Sequence, residues 1–173
     1  MIAAIDYLQT RPELAGIPIG VAGISMGAAA SLLAAAREPR IAAVSADSSF
    51  AALAESATGS LRQLCHAAAV PFSPLIIHFS ELLTRARIGI NRPIDVIGTI
   101  APRPVLIIHD SNDTFIPVRN AIALHDAAGE PKVLWTAAGR GHASLWACRA
   151  TEYVEQLDSF FTQALATKLP SAA

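Results

Sequence analysis

Four apolar runs alternate along the chain with segments in which apolar residues recur at helical spacing. The apolar runs, which predict strands, are IPIGVAGIS (about 18–24), IAAVSADSS, RPVLIIHDSND and KVLWTAAG. Strands without polar alternation are typical of parallel sheets that carry helices on both faces. The pattern therefore predicts an α/β fold with a mostly parallel sheet of four strands, in which right-handed crossovers place helices on both faces.

The helical segments are bounded by residues that commonly end helices. The predicted helices are residues 2–10, MGAAASLLAAARE, VRNAIALHDAAGEP and residues 150–166. Pro12 and Pro39 end the first two helices, and Gly129 and Pro131 end the third. In the last helix the apolar stripe that we expect to be buried consists of Val154, Leu157, Phe160, Phe161 and Leu165.

Residues 51–92 break this rhythm of strand and helix. LRQLCHAAAV and IIHFSELLTRARIGI have helical character, PFSP lies between them, and no strand pattern is present. The segment is too long for an ordinary connection between two elements. We therefore expect residues 1–173 to form a single domain in which 51–92 is a helical cap-like insertion.

Composition argues against several classes of protein. The chain has 173 residues, of which 53% are hydrophobic and 16% charged, and its formal net charge is -1, so a folded core is expected. No cluster of Lys and Arg predicts a nucleic-acid surface, and no apolar run has the length of a membrane span. The first residues lack the basic region of a signal peptide. Cys65 and Cys148 have no disulfide-framework or metal-site spacing, so we expect reduced thiols, a cytoplasmic location and no metal or cofactor.

The first candidate for chemistry is Ser25 in GISMG, because this G-x-S-x-G pattern follows a predicted strand and precedes a predicted helix. A serine in that sharp turn needs small residues two positions away on each side, which Gly23 and Gly27 supply. The turn exposes the Ser25 hydroxyl at the carboxyl end of the sheet, where open α/β sheets bind ligands. The amide of Met26, at the helix N-terminus, is then expected to face a developing oxyanion.

A nucleophilic serine needs a general base and an orienting carboxylate, and a candidate for each follows a predicted strand. VLIIHDSND runs into Asp113, and VLWTAAGRG runs into a loop that holds His142. The three candidates thus lie just beyond the carboxyl ends of three strands, in the chain order Ser25, Asp113, His142. Three matched placements are far more specific than one motif.

Other residues compete for these roles. Asp110 and Asp47 are alternative acids, although Asp47 is more readily explained as a partner of loop amides. His109 lies within the third strand and is expected to be a satisfied core histidine. Leu145 and Trp146 either line a pocket or pack against the last helix. The remaining histidines lie in helical segments and have no metal-like pairing: His66, His78 and His125.

The segments GISMGAAAS, AVSADSSF, PRPVLIIHDSNDTFIP and GRGHAS resemble the α/β-hydrolase fold family. The resemblance is greatest to its small bacterial esterase and dienelactone-hydrolase-like or acyl-peptidase-like branch, and it covers nearly the whole chain. It implies that Ser25 is the nucleophile, His142 the general acid and base, and Asp113 the orienting acid.

The chain departs from that family ahead of the nucleophile. Members usually have four strands before it, and one of their loops gives the second oxyanion amide, whereas about two dozen residues precede Ser25 here. We expect an N-terminally abbreviated fold in which IGVAGI is an edge strand, covered by a second copy of the chain in a homo-oligomer. The alternative is that the chain is a fragment or an alternative-start product of a longer hydrolase.

These expectations favour a serine hydrolase that cleaves carboxylic esters of short to medium acyl length through an acyl-enzyme. A small-molecule ester is then its expected binding partner. Two alternatives remain open. One is a catalytically weak or inactive hydrolase remnant that serves as an interaction module, since the loss of one oxyanion donor costs about 100- to 1000-fold in turnover. The other is a peptidase, which rests on family analogy.

Overall fold

A parallel sheet forms the centre of the molecule. The computed structural model of the protein describes residues 1–53, 72–85, 90 and 92–166. Within them the sheet consists of β1 (Ile19–Ile24), β2 (Ile41–Asp47), β3 (Val105–Asp110) and β4 (Lys132–Ala137). These strands lie side by side in chain order, and each pairs in parallel with the next. The carboxyl ends of all four strands therefore meet at one edge of the sheet.

Helices connect and flank the strands. The described helices are α1 (Ile2–Gln9), α2 (Met26–Arg37), α3 (Ser73–Thr84), α4 (Pro93–Val96), α5 (Arg119–Ala127), α6 (Leu145–Cys148) and α7 (Ala150–Ala166). Two single 3₁₀ turns add to them, at Pro12–Leu14 and Ile97–Ile100. None of the helices in this described part is long and apolar enough to cross a membrane.

The two faces of the sheet bury different helices. On one face Val105 and Ile107 of β3 pack in a cluster with Leu32 of α2 and Leu124 of α5. On the other face Leu106 and Ile108 pack with side chains of α6 and α7. Successive side chains of a strand point to opposite faces, so β2 and β3 need apolar residues at nearly every position. Every residue of these two strands is buried, which accounts for their lack of polar alternation.

The predicted α/β fold with a parallel sheet and helices on both faces is confirmed, and each predicted strand and helix outside 51–92 is present. The predicted stripe of α7 is wrong at Val154, which is 62% exposed, because the neighbouring Tyr153 takes the buried position. Leu157 and Phe160 pack against the buried cluster on that face as expected. Phe161 packs against Gly20 of β1 so closely that a Cβ atom there would lie 2.6 Å from its ring.

The predicted cap-like insertion is described in part. Helix α3 lies within 51–92, and its exposed apolar side chains include Leu82 and Leu83. Residues 54–71, 86–89 and 91 lie outside the described residues, and with them Cys65 and His66. The role of 51–92 as a cap therefore stays a prediction.

Arg103 fixes the far end of the helix that begins at the candidate serine. Its guanidinium donates hydrogen bonds to the carbonyl oxygens of Ala35, Glu38 and Ile41, at 2.7–3.0 Å, and its Nε donates to Ile100 O at 3.1 Å. The carbonyls in the last turn of a helix have no partner within it, and a cation favours the negative end of the helix dipole. Arg103 therefore joins the end of α2, the start of β2 and the turn before β3.

We expect Arg103→Met to lower the free energy of unfolding by about 2–4 kcal/mol, because buried carbonyl oxygens lose their donors while the aliphatic stem is kept. Urea denaturation followed by circular dichroism measures this change. Arg37→Met is the matched control, since Arg37 is exposed in the last turn of α2. Equal stability of the two variants would contradict the proposed contribution of Arg103.

Candidate active site

Ser25 lies in a sharp turn between β1 and α2. Its backbone has φ 55° and ψ −118°, a conformation that is costly for a residue with a side chain. The Ser25 N–H donates to Asp47 O at 2.8 Å, which extends the pairing of β1 with β2, and Ala29 N donates to Ser25 O at 3.2 Å, which begins α2. Strand and helix thus hold the strained residue from both sides, and its hydroxyl lies at the carboxyl edge of the sheet.

The two glycines of GISMG have different roles in this turn. A Cβ atom on Gly23 would collide with the carbonyl group of Gly27 and lie 2.6 Å from Ser31 Oγ. A Cβ atom on Gly27 would meet no atom of the described residues within 4 Å. The expectation that both positions must be free of a side chain therefore holds for Gly23, where strand and helix approach closely, and is wrong for Gly27.

The structure brings Ser25, His142 and Asp113 into one chain of hydrogen bonds. Ser25 Oγ lies 2.8 Å from His142 Nε2, and His142 Nδ1 lies 2.7 Å from Asp113 Oδ2. A carboxylate only accepts, so His142 Nδ1 carries the proton and the neutral ring leaves Nε2 free to accept from the hydroxyl. This is the geometry in which an imidazole can remove a proton from a serine.

Asp113 is held by backbone amides as well as by His142. Its side chain is fully buried, and Asp113 Oδ1 accepts hydrogen bonds from Phe115 N at 2.9 Å and Ile116 N at 2.8 Å. Both amides belong to the turn that follows the carboxylate. The two amides thus replace the hydrogen bonds that the buried carboxylate would otherwise accept from water. Oδ2 is left directed at the imidazole.

His109 supports the same turn, and the prediction of a satisfied core histidine is only half right. The residue is fully buried, and its Nε2–H donates to Ile116 O at 2.7 Å. Its Nδ1 has no hydrogen-bond partner among the described residues. His109 Nε2 also lies 3.6 Å from Asp113 Oδ2. The strand that ends before Asp113 therefore packs an imidazole against the carboxylate and its turn.

The two rival acids have other partners. Asp110 accepts from Ser144 Oγ and from the amides of Asn112, Gly139 and Gly141. Asp47 is buried at the end of β2, where it accepts from Ser48 Oγ at 2.8 Å and Tyr153 Oη at 3.1 Å.

Burial and the contact between Asp47 and Tyr153 together change the pKa values of both side chains. Burial raises the pKa of Asp47, and these two hydrogen bonds oppose the rise. Burial and the neighbouring Asp47 carboxylate raise the pKa of Tyr153. The pair joins α7 to the strand next to Ser25.

Two apolar residues neighbour the site, Phe115 beside His142 and Met26 directly after Ser25 in the chain. The ring of Phe115 lies on the imidazole of His142, with centroids 5.1 Å apart and planes at 58°. Phe115 and Met26 are both exposed, Met26 by 72%. Leu145 and Trp146 were expected either to line a pocket or to pack against the last helix. Leu145 is buried in the core, and Trp146 is exposed. Phe115 was not predicted as a site residue from the sequence, although it lies only two residues after Asp113.

The amide of Met26 begins α2. An α-helix leaves its first amides without an intrahelical acceptor, and the helix dipole adds partial positive charge there. Since Met26 directly follows Ser25, its N–H is a candidate donor to an oxyanion that forms at the hydroxyl.

Known proteins resemble this chain in sequence. A family model described as BAAT / Acyl-CoA thioester hydrolase C terminal matches residues 2–87, a range that includes Ser25. The uncharacterized protein YqkD of Bacillus subtilis (strain 168) is 31% identical over 158 residues, which cover 90% of this chain and 51% of YqkD. The chain thus spans about half the length of the curated relative that it matches.

Solved structures resemble it in fold. The α/β hydrolase GrgF from Penicillium sp. sh18 has a TM-score of 0.69 at 17% identity, over 95% of this chain and 70% of GrgF. The Pyrococcus furiosus esterase Pf2001 has a TM-score of 0.72 at 22% identity, over 94% of this chain and 60% of the esterase. This chain has the α/β-hydrolase fold, as its sequence predicted.

The different surroundings of the two glycines lead to opposite predictions. We expect Gly23→Ala to lower the free energy of unfolding by about 1–3 kcal/mol, because the new methyl group meets the backbone of α2. Gly27→Ala should raise it by about 0.5–1 kcal/mol, because alanine is the better helix former and the space is open. Thermal and urea denaturation measure both changes. A destabilised Gly27→Ala variant would contradict this assignment.

Proposed function

We propose that the protein is a serine hydrolase that cleaves carboxylic esters through an acyl-enzyme, with Ser25 as nucleophile, His142 as general base and acid, and Asp113 as orienting acid. The observation that carries the proposal is the continuous hydrogen bonding from Ser25 Oγ through His142 to Asp113, at 2.8 and 2.7 Å. The hydrolase fold and the esterase among its structural relatives support it.

In the proposed reaction, each of the three residues acts once while the acyl-enzyme forms and once while water hydrolyses it. His142 Nε2 accepts the Ser25 proton while Oγ attacks the ester carbonyl carbon, and the resulting imidazolium faces the buried Asp113 carboxylate. The imidazolium then protonates the departing alcohol, which leaves an acyl-serine. A water molecule gives its proton to His142 and attacks the acyl carbon, and the proton returns to Ser25 as the acid departs. The Met26 amide stabilises the oxyanion in both halves.

The surroundings of Ser25 favour an apolar acyl group. Met26 directly follows the nucleophile and is exposed, and the exposed ring of Phe115 packs against the imidazole, so two apolar residues neighbour the proposed catalytic residues. An ester with a short to medium acyl chain buries apolar surface there without leaving a charge unpaired. That the segment 51–92 is a cap-like insertion over this site stays a prediction, and so does a cytoplasmic location.

We further propose that β1 pairs, along the edge that faces away from β2, with a second copy of the chain. Within the described residues β1 is an edge strand, and none of its residues is fully buried, in contrast to β2 and β3. A groove of about 740 Å³ lies beside it, lined in part by Leu14, Ile17 and Ile19. Exposed apolar edges favour association, and a symmetric dimer would cover this one.

Ser25→Ala tests the proposed reaction. We expect wild-type protein to hydrolyse small p-nitrophenyl esters and to lose at least about 1000-fold in kcat/KM on this substitution, because the nucleophile is absent. A fluorophosphonate probe should label the wild type at Ser25, as located by peptide mass spectrometry. Ser31→Ala is the matched control, since Ser31 is a buried serine of α2 that donates to Gly27 O. Retained activity in Ser25→Ala, or no labelling of the wild type, would refute the enzyme and favour the interaction module.

Sedimentation velocity tests the proposed dimer. We expect the wild type at micromolar concentration to sediment as a dimer and Ile17→Lys to sediment as a monomer, because a charge beside an edge strand opposes pairing. Ile17 is half exposed, so the substitution spares the core. A monomeric wild type would contradict the proposal.

A further inference from the structure

Asp110 lies beside the point at which the loop of His142 leaves the neighbouring strand, β4. It is the last residue of β3, it is fully buried, and it pairs with Ala137, the last residue of β4. Because side chains alternate along a strand, Asp110 is on the face of Leu106 and Ile108, which is the face that packs against α6 and α7. The histidine loop, residues 138–144, runs from β4 to α6 over this same face.

The Asp110 carboxylate accepts four hydrogen bonds. Oδ1 accepts from Asn112 N and Gly139 N, both at 2.9 Å. Oδ2 accepts from Gly141 N at 2.9 Å and from Ser144 Oγ at 2.7 Å. A carboxylate has about four acceptor positions, so its capacity is used, and three of the four donors belong to the histidine loop.

The carboxylate keeps its charge in this setting. Burial alone would raise the pKa of Asp110, but the hydrogen bonds from Ser144 and from the three amides outweigh it and hold the pKa below its ordinary value. Hydrogen bonds to an ionised acceptor are about twice as strong as neutral ones. The three hydrogen bonds that the carboxylate accepts from the histidine loop are therefore stronger than hydrogen bonds between neutral groups.

The histidine loop needs such a restraint because its backbone is unfavourable on its own. Both neighbours of His142 have positive φ: Gly141 has φ 111°, which glycine adopts readily, whereas Ala143 has φ 52°, which costs a non-glycine residue about 1 kcal/mol or more. At Gly139 a Cβ atom would collide with Asp110 Oδ2 and lie 2.7 Å from Ser144 Oγ. The loop approaches the carboxylate too closely for any other residue at that position.

We propose that Asp110 is a positioning residue, whose carboxylate holds the histidine loop in the conformation that lets His142 contact Ser25 and Asp113 together. The catalytic consequence rests on the proposed function, whereas the consequence for the loop does not. The last two residues of β3 thus stabilise the surroundings of both His142 and Asp113. Asp110 binds the loop that holds His142, and His109 binds the turn that follows Asp113.

Asp110→Asn tests this role, because an amide of the same shape cannot accept from donors on both of its ends. We expect kcat for p-nitrophenyl esters to fall about 10- to 100-fold, since small misplacement of a catalytic group has effects of that size. KM should stay within about twofold, because Asp110 does not border the substrate. Asp126→Asn is the matched control, the same change at an exposed aspartate on α5. Wild-type kcat in Asp110→Asn would overturn the proposal.

Amide hydrogen exchange measures the loop itself and needs no activity. We expect the amides of Gly139 and Gly141 to exchange at least about 10-fold faster in Asp110→Asn than in the wild type, with those of β2 unchanged. If the wild type hydrolyses no ester, the proposed function fails. The exchange rates of the two glycine amides still test whether Asp110 holds the histidine loop. Unchanged exchange at both glycines would overturn the proposal.

Ser144→Ala removes one donor and leaves the buried carboxylate in place, which keeps the test valid if Asp110→Asn does not fold. We expect kcat to fall about 3- to 10-fold. The amides of Gly139 and Gly141 should also exchange faster than in the wild type, because the carboxylate loses one of its donors from the loop and Arg140 N loses its acceptor, Ser144 Oγ. Wild-type kcat together with unchanged exchange at both glycines in Ser144→Ala would contradict the proposal.

Discussion

The hydrogen bond between His142 Nδ1 and Asp113 Oδ2 joins two loops that are 29 residues apart in sequence, and the arrangement of the site depends on it. It fixes the proton on Nδ1, so that Nε2 is left to accept from Ser25. The sheet makes this contact possible, because β3 and β4 are parallel neighbours whose last residues, Asp110 and Ala137, are paired. Ser25 reaches the other nitrogen from β1, across the end of β2.

The fold and the three central residues were accessible from the sequence for physical reasons. Strands buried on both faces must be apolar at nearly every position, so β2 and β3 are recognised in the sequence as mainly apolar runs. Parallel strands joined by helices bring their carboxyl ends to one edge, so a serine, an aspartate and a histidine that each follow a strand are brought near one another. The strained turn at Ser25 has a local signature, since Gly23 is required by the backbone of the following helix.

What the sequence could not give depends on contacts between distant residues. Asp110 ends β3 and Asp113 follows three residues later, and the sequence does not show that Asp110 accepts from the histidine loop while Asp113 contacts His142, because both contacts depend on the path of a loop that follows β4. The packing of Phe115 on His142 arises in the same way. On α7, Tyr153 replaces Val154 in the buried stripe because its hydroxyl has a buried partner in Asp47. Helical spacing carries no information about such a partner.

The most direct test of this account is the protonation pattern of His142, read by nitrogen-15 NMR of the histidine-labelled protein at a pH where the ring is neutral. We predict a protonated Nδ1, bonded to Asp113, and an unprotonated Nε2, with the pattern lost in Asp113→Asn. The proton on Nε2, or a ring that averages between the two forms in the wild type, would contradict the account.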